Sequence, residues 1–246
     1  MDGQQHVNPF EGLTFSQIYE GLMDGRFGPR WPSEQLQKGY TGTLGVDLLR
    51  RAFMFVEMLE QDGAFSEEDW RGLDYGCGWG RFLSVLLSKG TPDQADGCDA
   101  WERTLQIISE LNYDNRIFRV SELIEPGEVP NQAYDFVLSF SVFTHLAPKA
   151  FHHNIDALLP ALKPEGNLYI TVRHDEFVGH KYKDRAGEIR GDLASNGIAF
   201  VDSGGNLGSA KVFGDTIVAK DYLRRFWNAR YLGQPHSLQH VYALSR

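Results

Sequence analysis

Apolar residues in the first 65 positions recur at helical spacing. The clearest case lies between Thr43 and Gln61, where residues three, four and seven positions apart share one face of a helix. A shorter amphipathic stretch covers Phe15 to Met23, and a segment rich in glycine and proline separates the two. The sequence therefore predicts a helical N-terminal extension over residues 1–65, whose longest helix buries Leu49, Ala52, Phe53, Val56 and Leu59.

From residue 66 onward, short apolar runs alternate with helical segments. This alternation is typical of a mostly parallel sheet covered by helices on both faces, and we expect such an α/β domain over residues 66–246. The predicted helices span 81–88, 102–111, 149–162 and 220–228. The predicted strands span 72–75, 95–99, 116–120, 135–140, 167–173 and 240–245.

A long polar stretch follows the fifth predicted strand. Residues 176–218 are longer and more polar than a crossover between two strands needs. We expect this insertion to carry extra elements over one edge of the sheet, as a lid.

Composition and charge narrow the class of protein. The chain has 246 residues, of which 42% are hydrophobic, enough for one core with extensions, and it lacks an apolar run long enough to cross a membrane. Its polar start, Met1 to Pro9, lacks the features of a secretory signal, so we expect a cytoplasmic protein. The net charge of −9 disfavours a nucleic-acid partner, because binding to phosphates needs a basic surface.

The metal-ligating residue types show no metal-binding pattern. The two cysteines, Cys77 and Cys98, lie outside any Cys-x-x-Cys spacing, and we expect reduced thiols without a structural role. His152 and His153 are consecutive on a predicted helix, so they point to different faces. The sequence predicts no metal site.

A glycine-rich loop follows the first predicted strand, where open parallel sheets bind their ligands. Asp74 precedes three glycines, Gly76, Gly78 and Gly80, which permit a tight turn and a close approach of a ligand to the backbone. A dinucleotide-binding loop would place its third glycine at position 81, which is an arginine here. Taken alone, this loop is also consistent with a simple tight turn or with a binding site for a nicotinamide cofactor.

The order Asp-x-Gly-x-Gly-x-Gly resembles motif I of the class I S-adenosylmethionine-dependent methyltransferases of the small-molecule type. The resemblance implies that Asp74, Gly76, Cys77 and Gly78 hold the methionine part of S-adenosylmethionine. It also implies a doubly wound, Rossmann-like and mostly parallel sheet of seven strands.

Later segments resemble further motifs of the same family in sequence order. Asp99 ends the second strand, where the family's acidic residue accepts hydrogen bonds from the ribose hydroxyls, and Ala100 and Trp101 follow beside the adenine. The segment from Tyr134 to Leu146 resembles the fourth motif, and Leu162 to Leu168 resembles the turn before the fifth strand. The resemblance adds Tyr40, Ser121, Glu122, Ser139 and Phe140 as cofactor contacts.

Each of these residues also has a purely structural interpretation. Asp74 suits a helix cap or an ion pair, and an acid such as Asp99 commonly occupies an exposed turn. Trp101 begins an amphipathic helix and suits packing there, while Tyr40 lies in what reads equally as a turn between helices.

Two histidines follow predicted strands and are candidates for a general base, because the pKa of histidine lies near neutrality. His145 follows the fourth strand, and His174 follows the fifth. His145 equally suits a structural role in the loop before Pro148, and His174 suits a polar loop.

The resemblance implies methyl transfer from S-adenosylmethionine to an oxygen or nitrogen atom of a small molecule, such as a sugar or a natural-product intermediate. Methylation of RNA or protein is the alternative within the same enzyme class. A non-catalytic cofactor-binding protein of the same fold is the alternative outside it. The sequence also leaves a homodimer open.

Overall fold

The structure, a computed structural model, describes residues 6–202, 212–236 and 238–246. It divides into two compact units, Met1–Arg119 and Val120–Arg246. This division does not test the predicted boundary between residues 65 and 66, which stays a prediction.

The first unit contains five helices and three strands among its described residues. Its helices are α1 (Phe15–Asp24), α2 (Glu34–Thr41), α3 (Gly45–Gln61), α4 (Arg81–Leu86) and α5 (Glu102–Ser109), with a 3₁₀ turn at Pro92–Gln94. Its strands are β1 (Gly72–Tyr75), β2 (Ala95–Asp99) and β3 (Ile117–Arg119), and both neighbouring pairs are parallel.

Local sequence explains where the first helix begins and ends. Thr14 and Gln17 form a reciprocal capping box at the start of α1, which satisfies backbone N–H groups that have no helical partner. Gly25 ends the helix with φ at 78°, a left-handed conformation that favours glycine.

The buried face of the long helix α3 includes Leu48 and Phe55, which were not predicted, and leaves the predicted Phe53 partly exposed. Phe55 is fully buried, whereas the predicted Phe53 is half-buried, and its ring packs edge-on at 5.9 Å from Phe10 and 5.4 Å from Phe15. The helix therefore packs on two sides, because α1 covers a second stripe of its surface. The fully buried residues of α3 are Leu48, Leu49, Ala52, Phe55, Val56 and Leu59.

Trp31 joins the N-terminal segment to α4. Its indole N–H donates a hydrogen bond to the hydroxyl of Ser84 at 2.7 Å, and its ring packs edge-on against Trp79 with centroids 4.9 Å apart. Both indole rings are almost fully buried. A buried indole needs such a partner for its N–H, so this contact fixes how the segment meets the helix.

The second unit contains the remaining strands of the main sheet. Its strands are β4 (Tyr134–Ser139), β5 (Leu162–Val172), β6 (Ile198–Asp202), β7 (Gly214–Val218), β8 (Asn228–His236) and β9 (Gln239–Ser245). Its described helices are α6 (Pro148–Leu158), α7 (Asp175–Lys181), α8 (Ala186–Asn196) and α9 (Tyr222–Phe226), with 3₁₀ turns at Leu159–Ala161 and Lys183–Arg185.

The seven main strands follow the order β3-β2-β1-β4-β5-β9-β8. Strands β4 and β5 are parallel, whereas β9 is antiparallel to both β5 and β8. The predicted doubly wound, mostly parallel sheet of seven strands is confirmed. The sequence pattern did not predict β8, whose Gly233 and Pro235 interrupt the alternation expected of a strand.

The chain between β5 and α9 forms α7, α8 and a separate two-stranded sheet of β6 and β7. Residues 203–211 of the predicted insertion lie outside the described residues. The other elements share a small apolar core, formed by Phe177, Val178, Ile189, Ala199, Val201 and Ile217.

No helix among the described residues is long and apolar enough to span a membrane.

Replacing Gly80 with alanine is expected to destabilise the protein. Gly80 has φ at 89°, and a Cβ there would lie 2.5 Å from Cζ and 2.8 Å from Oη of Tyr113. Backbone strain and the clash together predict a loss of about 2 kcal/mol or more in the free energy of unfolding, measured by denaturant titration.

Gly39→Ala is the matched control in the same unit. Gly39 lies within α2, and a Cβ there would meet nothing within 4 Å. The control is expected to leave stability unchanged or to raise it by up to about 1 kcal/mol. Equal stability of Gly80→Ala and the wild type would contradict the account of this turn.

Candidate active site

The glycine loop after β1 is held against the end of β2 by backbone hydrogen bonds. The N–H groups of Gly76 and Cys77 both donate to the carbonyl of Cys98, at 2.8 and 3.0 Å. Gly76, Gly78 and Gly80 have φ values of 74°, 57° and 89°, all in the left-handed region. Three residues in this region explain why the loop needs glycines, since a side chain at any of them would be strained.

Gly78 lies at the open part of this loop. A Cβ built on it would meet no atom within 4 Å, in contrast to the crowded Gly80. Its positive φ and open surroundings leave the backbone accessible to a ligand.

The carboxylate of Asp99 links the glycine loop to the start of α5. Its Oδ2 accepts a hydrogen bond from the N–H of Gly78 at 3.1 Å, and its Oδ1 accepts one from the N–H of Trp101 at 2.9 Å. Burial raises the pKa of Asp99, and the backbone donors, which include Ala100, oppose that rise. Each carboxylate oxygen has a second acceptor site, which suits a pair of ligand hydroxyls.

Asp74 presents a buried acceptor without a partner. Its side chain is 1% exposed, and its Oδ2 has no hydrogen-bond partner among the described residues. Burial raises the pKa of Asp74 to about 8, and the charge of Arg81 opposes the rise. A buried polar atom of this kind calls for a donor that is absent from the protein itself.

Tyr40 and Trp101 both lie near the start of α5. Tyr40 is 39% exposed, and its hydroxyl is 3.5 Å from Oγ1 of Thr104. Trp101 precedes the first residue of α5 and is half-buried. The first unit therefore brings Tyr40 close to α5, and Trp101 shares Asp99 with the glycine loop.

The two cysteines are free and buried. Burial raises the pKa of both thiols, and the charges of Asp74 and Asp99 raise them further. Neither thiol is activated as a nucleophile, because nucleophilic reactivity needs a lowered pKa.

In the second unit, Ser121 forms hydrogen bonds with Glu128, a residue for which the sequence analysis predicted no role. Glu128 accepts hydrogen bonds from the N–H of Ser121 at 2.9 Å and from its hydroxyl at 2.7 Å. The carbonyl of Glu122 accepts a hydrogen bond from the amide of Asn154 at 2.8 Å. These contacts shape the loop after β3, and the predicted cofactor contacts of Ser121 and Glu122 stay a prediction.

Ser139 ends β4 and is followed by the half-buried Phe140. The hydroxyl of Ser139 is fully buried and has no partner among the described residues. Like Asp74 in the first unit, it is an unpartnered polar group near the carboxyl end of a strand, and its predicted cofactor contact stays a prediction.

His145 uses both ring nitrogens inside the second unit. Nδ1 lies 2.7 Å from the carbonyl of Gly214, which only accepts, so Nδ1 carries the proton. Nε2 then accepts from Arg173, whose Nη2 is 3.3 Å away, and the ring stacks on Phe213. Burial, with the charge of Arg173, lowers the pKa of His145 to about 4. These contacts favour a neutral, structural imidazole, and the base role stays a prediction.

Both ring nitrogens of His174 also have hydrogen-bond partners within the second unit. Its Nδ1 lies 2.7 Å from the carbonyl of Val218, and its Nε2 lies 3.0 Å from the hydroxyl of Tyr242. The side chain is 3% exposed, and burial lowers its pKa. These bonds fix His174 immediately before α7, and its role as a base likewise stays a prediction.

Asp215 is the centre of an ion cluster beside His145. Its carboxylate accepts hydrogen bonds from Arg173, Lys181 and Tyr182. Burial acts to raise the pKa of Asp215, but the donors from Lys181 and Tyr182 and the charge of Arg173 bring it below its usual range. The sequence did not predict this cluster, because Arg173 and Asp215 lie far apart along the chain.

Backbone bonds attach the insertion to the ends of two main strands. Gly214 and Thr216 donate to the carbonyls of His145 and Thr144, at 2.8 and 2.9 Å. Val218 donates to the carbonyl of Arg173 at 2.9 Å. Strand β7 therefore runs along the loop after β4 and reaches the end of β5.

Comparison with known proteins defines the class. The sequence model of a family described as "Methyltransferase domain" matches residues 45–242, which is most of the chain. The chain therefore belongs to this methyltransferase family. With this membership, the predicted resemblance to class I S-adenosylmethionine-dependent methyltransferases, the enzyme class and the cofactor are confirmed. No curated protein matches the chain.

Solved structures share the fold at low sequence identity. The complex titled DhpI-SAM-HEP is 15% identical, covers 92% of this chain and 98% of its own, and has a TM-score of 0.56. A S-adenosylmethionine-dependent methyltransferase from Leishmania major is 14% identical, with coverages of 96% and 84% and a TM-score of 0.54. One from Methanosarcina mazei is 16% identical, with coverages of 73% and 93% and a TM-score of 0.53.

The residues of the first unit fit S-adenosylmethionine. Asp74 offers an unpartnered carboxylate oxygen, which suits the ammonium group of the methionine part. Asp99 offers acceptor sites for hydroxyls, and Gly78 leaves the backbone open between them. These assignments to individual residues are proposals.

Replacing Asp99 with alanine is expected to weaken cofactor binding by about 100-fold. The change removes a buried carboxylate and leaves two backbone N–H groups without acceptors, and hydrogen bonds to a charged group contribute about 1.5–3 kcal/mol each. Calorimetric titration with S-adenosylmethionine and with its demethylated product measures the effect.

Asp114→Ala is the matched control, because Asp114 is an exposed acid of the same unit. It is expected to bind both ligands as the wild type does. Unchanged affinity in a folded Asp99→Ala variant would show that the ribose binds elsewhere.

Replacing Asp215 with asparagine is expected to lower the free energy of unfolding by about 3 kcal/mol at pH 7, because Arg173 would stay buried without its counter-ion. Since the native pKa of Asp215 is lowered, its stabilisation is present at neutral pH and is lost as the pH falls through that value. Thermal unfolding of both proteins at about pH 7, 4 and 2.5 measures the difference, which should stay nearly constant down to about pH 4 and shrink below it, where Asp215 takes up its proton.

Asp221→Asn is the control for this experiment. Asp221 pairs with Arg225 on the surface, where both side chains are more than half exposed, and its loss should leave the unfolding temperature unchanged. An equal effect of the two substitutions, or none from Asp215→Asn, would contradict the proposed cluster.

Proposed function

We propose that the protein transfers a methyl group from S-adenosylmethionine to an oxygen or nitrogen atom of a small molecule. The observation that carries this proposal is the attachment of β7 along the loop after β4 and at the end of β5. An insertion anchored there covers strand ends at which a sheet of this type binds its ligands. A covered site favours a small acceptor over a polymer.

Charge supports the same choice. The net charge of −9 disfavours an RNA substrate, whose phosphates need a basic surface. Two cations of the second unit, Arg173 after β5 and Lys181 in α7, are both bound to Asp215. They are therefore poorly suited to bind a phosphate backbone.

The cofactor supplies the reactive methyl group, on a positively charged sulfur. Asp74, Gly78 and Asp99, all in the first unit, bind and orient it. Holding the reacting groups in line removes much of the entropic barrier, which is the main contribution open to such a site.

We propose structural roles for His145 and His174. Both nitrogens of each ring have partners within the second unit, and burial lowers both pKa values. A weakly basic, fully bonded imidazole is a poor proton acceptor. The proton of the acceptor then leaves to solvent after the methyl group has been transferred.

A label-transfer experiment tests the proposal. The full-length protein is incubated with S-adenosylmethionine carrying a labelled methyl group and with separated small-molecule, RNA and protein fractions of a cell extract. Label is expected in the small-molecule fraction, and mass spectrometry of the product identifies the methylated atom.

The folded Asp99→Ala variant is the control and is expected to transfer no label at the same cofactor concentration. Label in RNA or protein would replace the proposed acceptor class. Cofactor binding without any transfer would favour the non-catalytic alternative.

A further inference from the structure

A serine with an unusual backbone follows β4. Ser141 has φ at 64°, in the left-handed region that costs a residue with a side chain about 1–3 kcal/mol. Its N–H donates to the hydroxyl oxygen of Thr171, in β5, at 2.7 Å, and its own hydroxyl lies 3.4 Å from that of Thr144. Both threonines are fully buried. The fold thus holds Ser141 in a fixed, strained turn at the end of a main strand.

Gln239 reaches this turn from the other side of β5. It is the first residue of β9, next to His240, which pairs with Val172 at the end of β5. The amide Nε2 of Gln239 donates to the hydroxyl of Ser141 at 3.2 Å. This bond orients the amide group, and with it the direction of its oxygen.

The amide oxygen of Gln239 is buried and unsatisfied. Oε1 has no hydrogen-bond partner among the described residues, although the atom is shielded from solvent. A buried acceptor without a partner costs about 1–3 kcal/mol, so native structures rarely keep one without a reason. The amide is already fixed by Ser141, which leaves a ligand as the natural donor.

We propose that the oxygen of Gln239 binds a hydrogen-bond donor of the methyl acceptor, a hydroxyl or an amine N–H group. This inference rests on the proposed function and names the part of the acceptor that the second unit recognises. Gln239 is a specificity-determining residue: it favours acceptors with a free donor over analogues whose donor is capped. Leaving its buried oxygen unpaired would penalise a capped analogue.

The test uses the full-length protein saturated with S-adenosylhomocysteine, so that no methyl transfer takes place. The probes are phenol with its capped counterpart anisole, and aniline with N,N-dimethylaniline. Ligand-observed saturation-transfer NMR titrations give the dissociation constant of each probe. The wild type is expected to bind each donor about ten-fold or more tightly than its capped counterpart, as one buried hydrogen bond implies.

Two variants assign this preference to one atom. Gln239→Leu removes the oxygen and should abolish the preference, whereas Gln239→Glu retains an acceptor oxygen and should keep it. Gln234→Leu is the matched control, because Gln234 is an exposed glutamine of the neighbouring strand β8. The control should bind as the wild type does, and affinity for S-adenosylhomocysteine should be equal in all four proteins.

Several results would overturn the inference. They are equal binding of donors and capped probes by the wild type, an unchanged preference in a folded Gln239→Leu variant, and no binding of any probe. Failure of the proposed function is a separate result, since it places label in RNA or protein whatever the probes do. Label in small molecules together with an unchanged Gln239→Leu preference would reject only the role of Gln239.

Discussion

Two hydrogen bonds from backbone N–H groups to the Asp99 carboxylate hold together the loops that we propose bind the cofactor. One donor belongs to Gly78 in the loop after β1, and the other belongs to Trp101 before α5. Two segments that follow different strands thus share one acceptor, so neither moves without the other. A buried carboxylate tolerates this position only because donors compensate for its lost hydration. The positive φ values of the glycines then let the loop bend far enough to reach it.

Two other buried carboxylates, Asp215 and Asp74, differ in how the protein compensates for their burial. Asp215 is surrounded by Arg173, Lys181 and Tyr182, and its pKa is lowered. Asp74 keeps one oxygen without a partner, and burial raises its pKa to about 8. The first arrangement is complete within the protein and stabilises the insertion. The second keeps an oxygen without a partner, which agrees with the proposed binding of the ammonium group of the cofactor.

The sequence predicted the parts of the molecule that local pattern determines. Strands β1 and β2 have the predicted bounds, because each is a short apolar run between turn residues. Strand β8, at the edge of the sheet, was not predicted, because Gly233 and Pro235 interrupt its alternation of apolar and polar residues. The bonds of His145 and the ion cluster of Asp215 were not predicted either. They join residues that only the folded insertion brings together, so no spacing along the chain reports them.

The way in which β7 is attached has a consequence for how this enzyme changes over time. Its bonds to residues 144–145 and 173 join main-chain atoms, so they do not depend on which side chains the neighbouring residues carry. Under the proposed function, insertion residues that line the acceptor site, other than those of the Asp215 cluster, are therefore open to substitution without loss of the attachment. Such a scaffold allows drift, or a protein engineer, to alter the range of accepted molecules while the cofactor loop stays as it is.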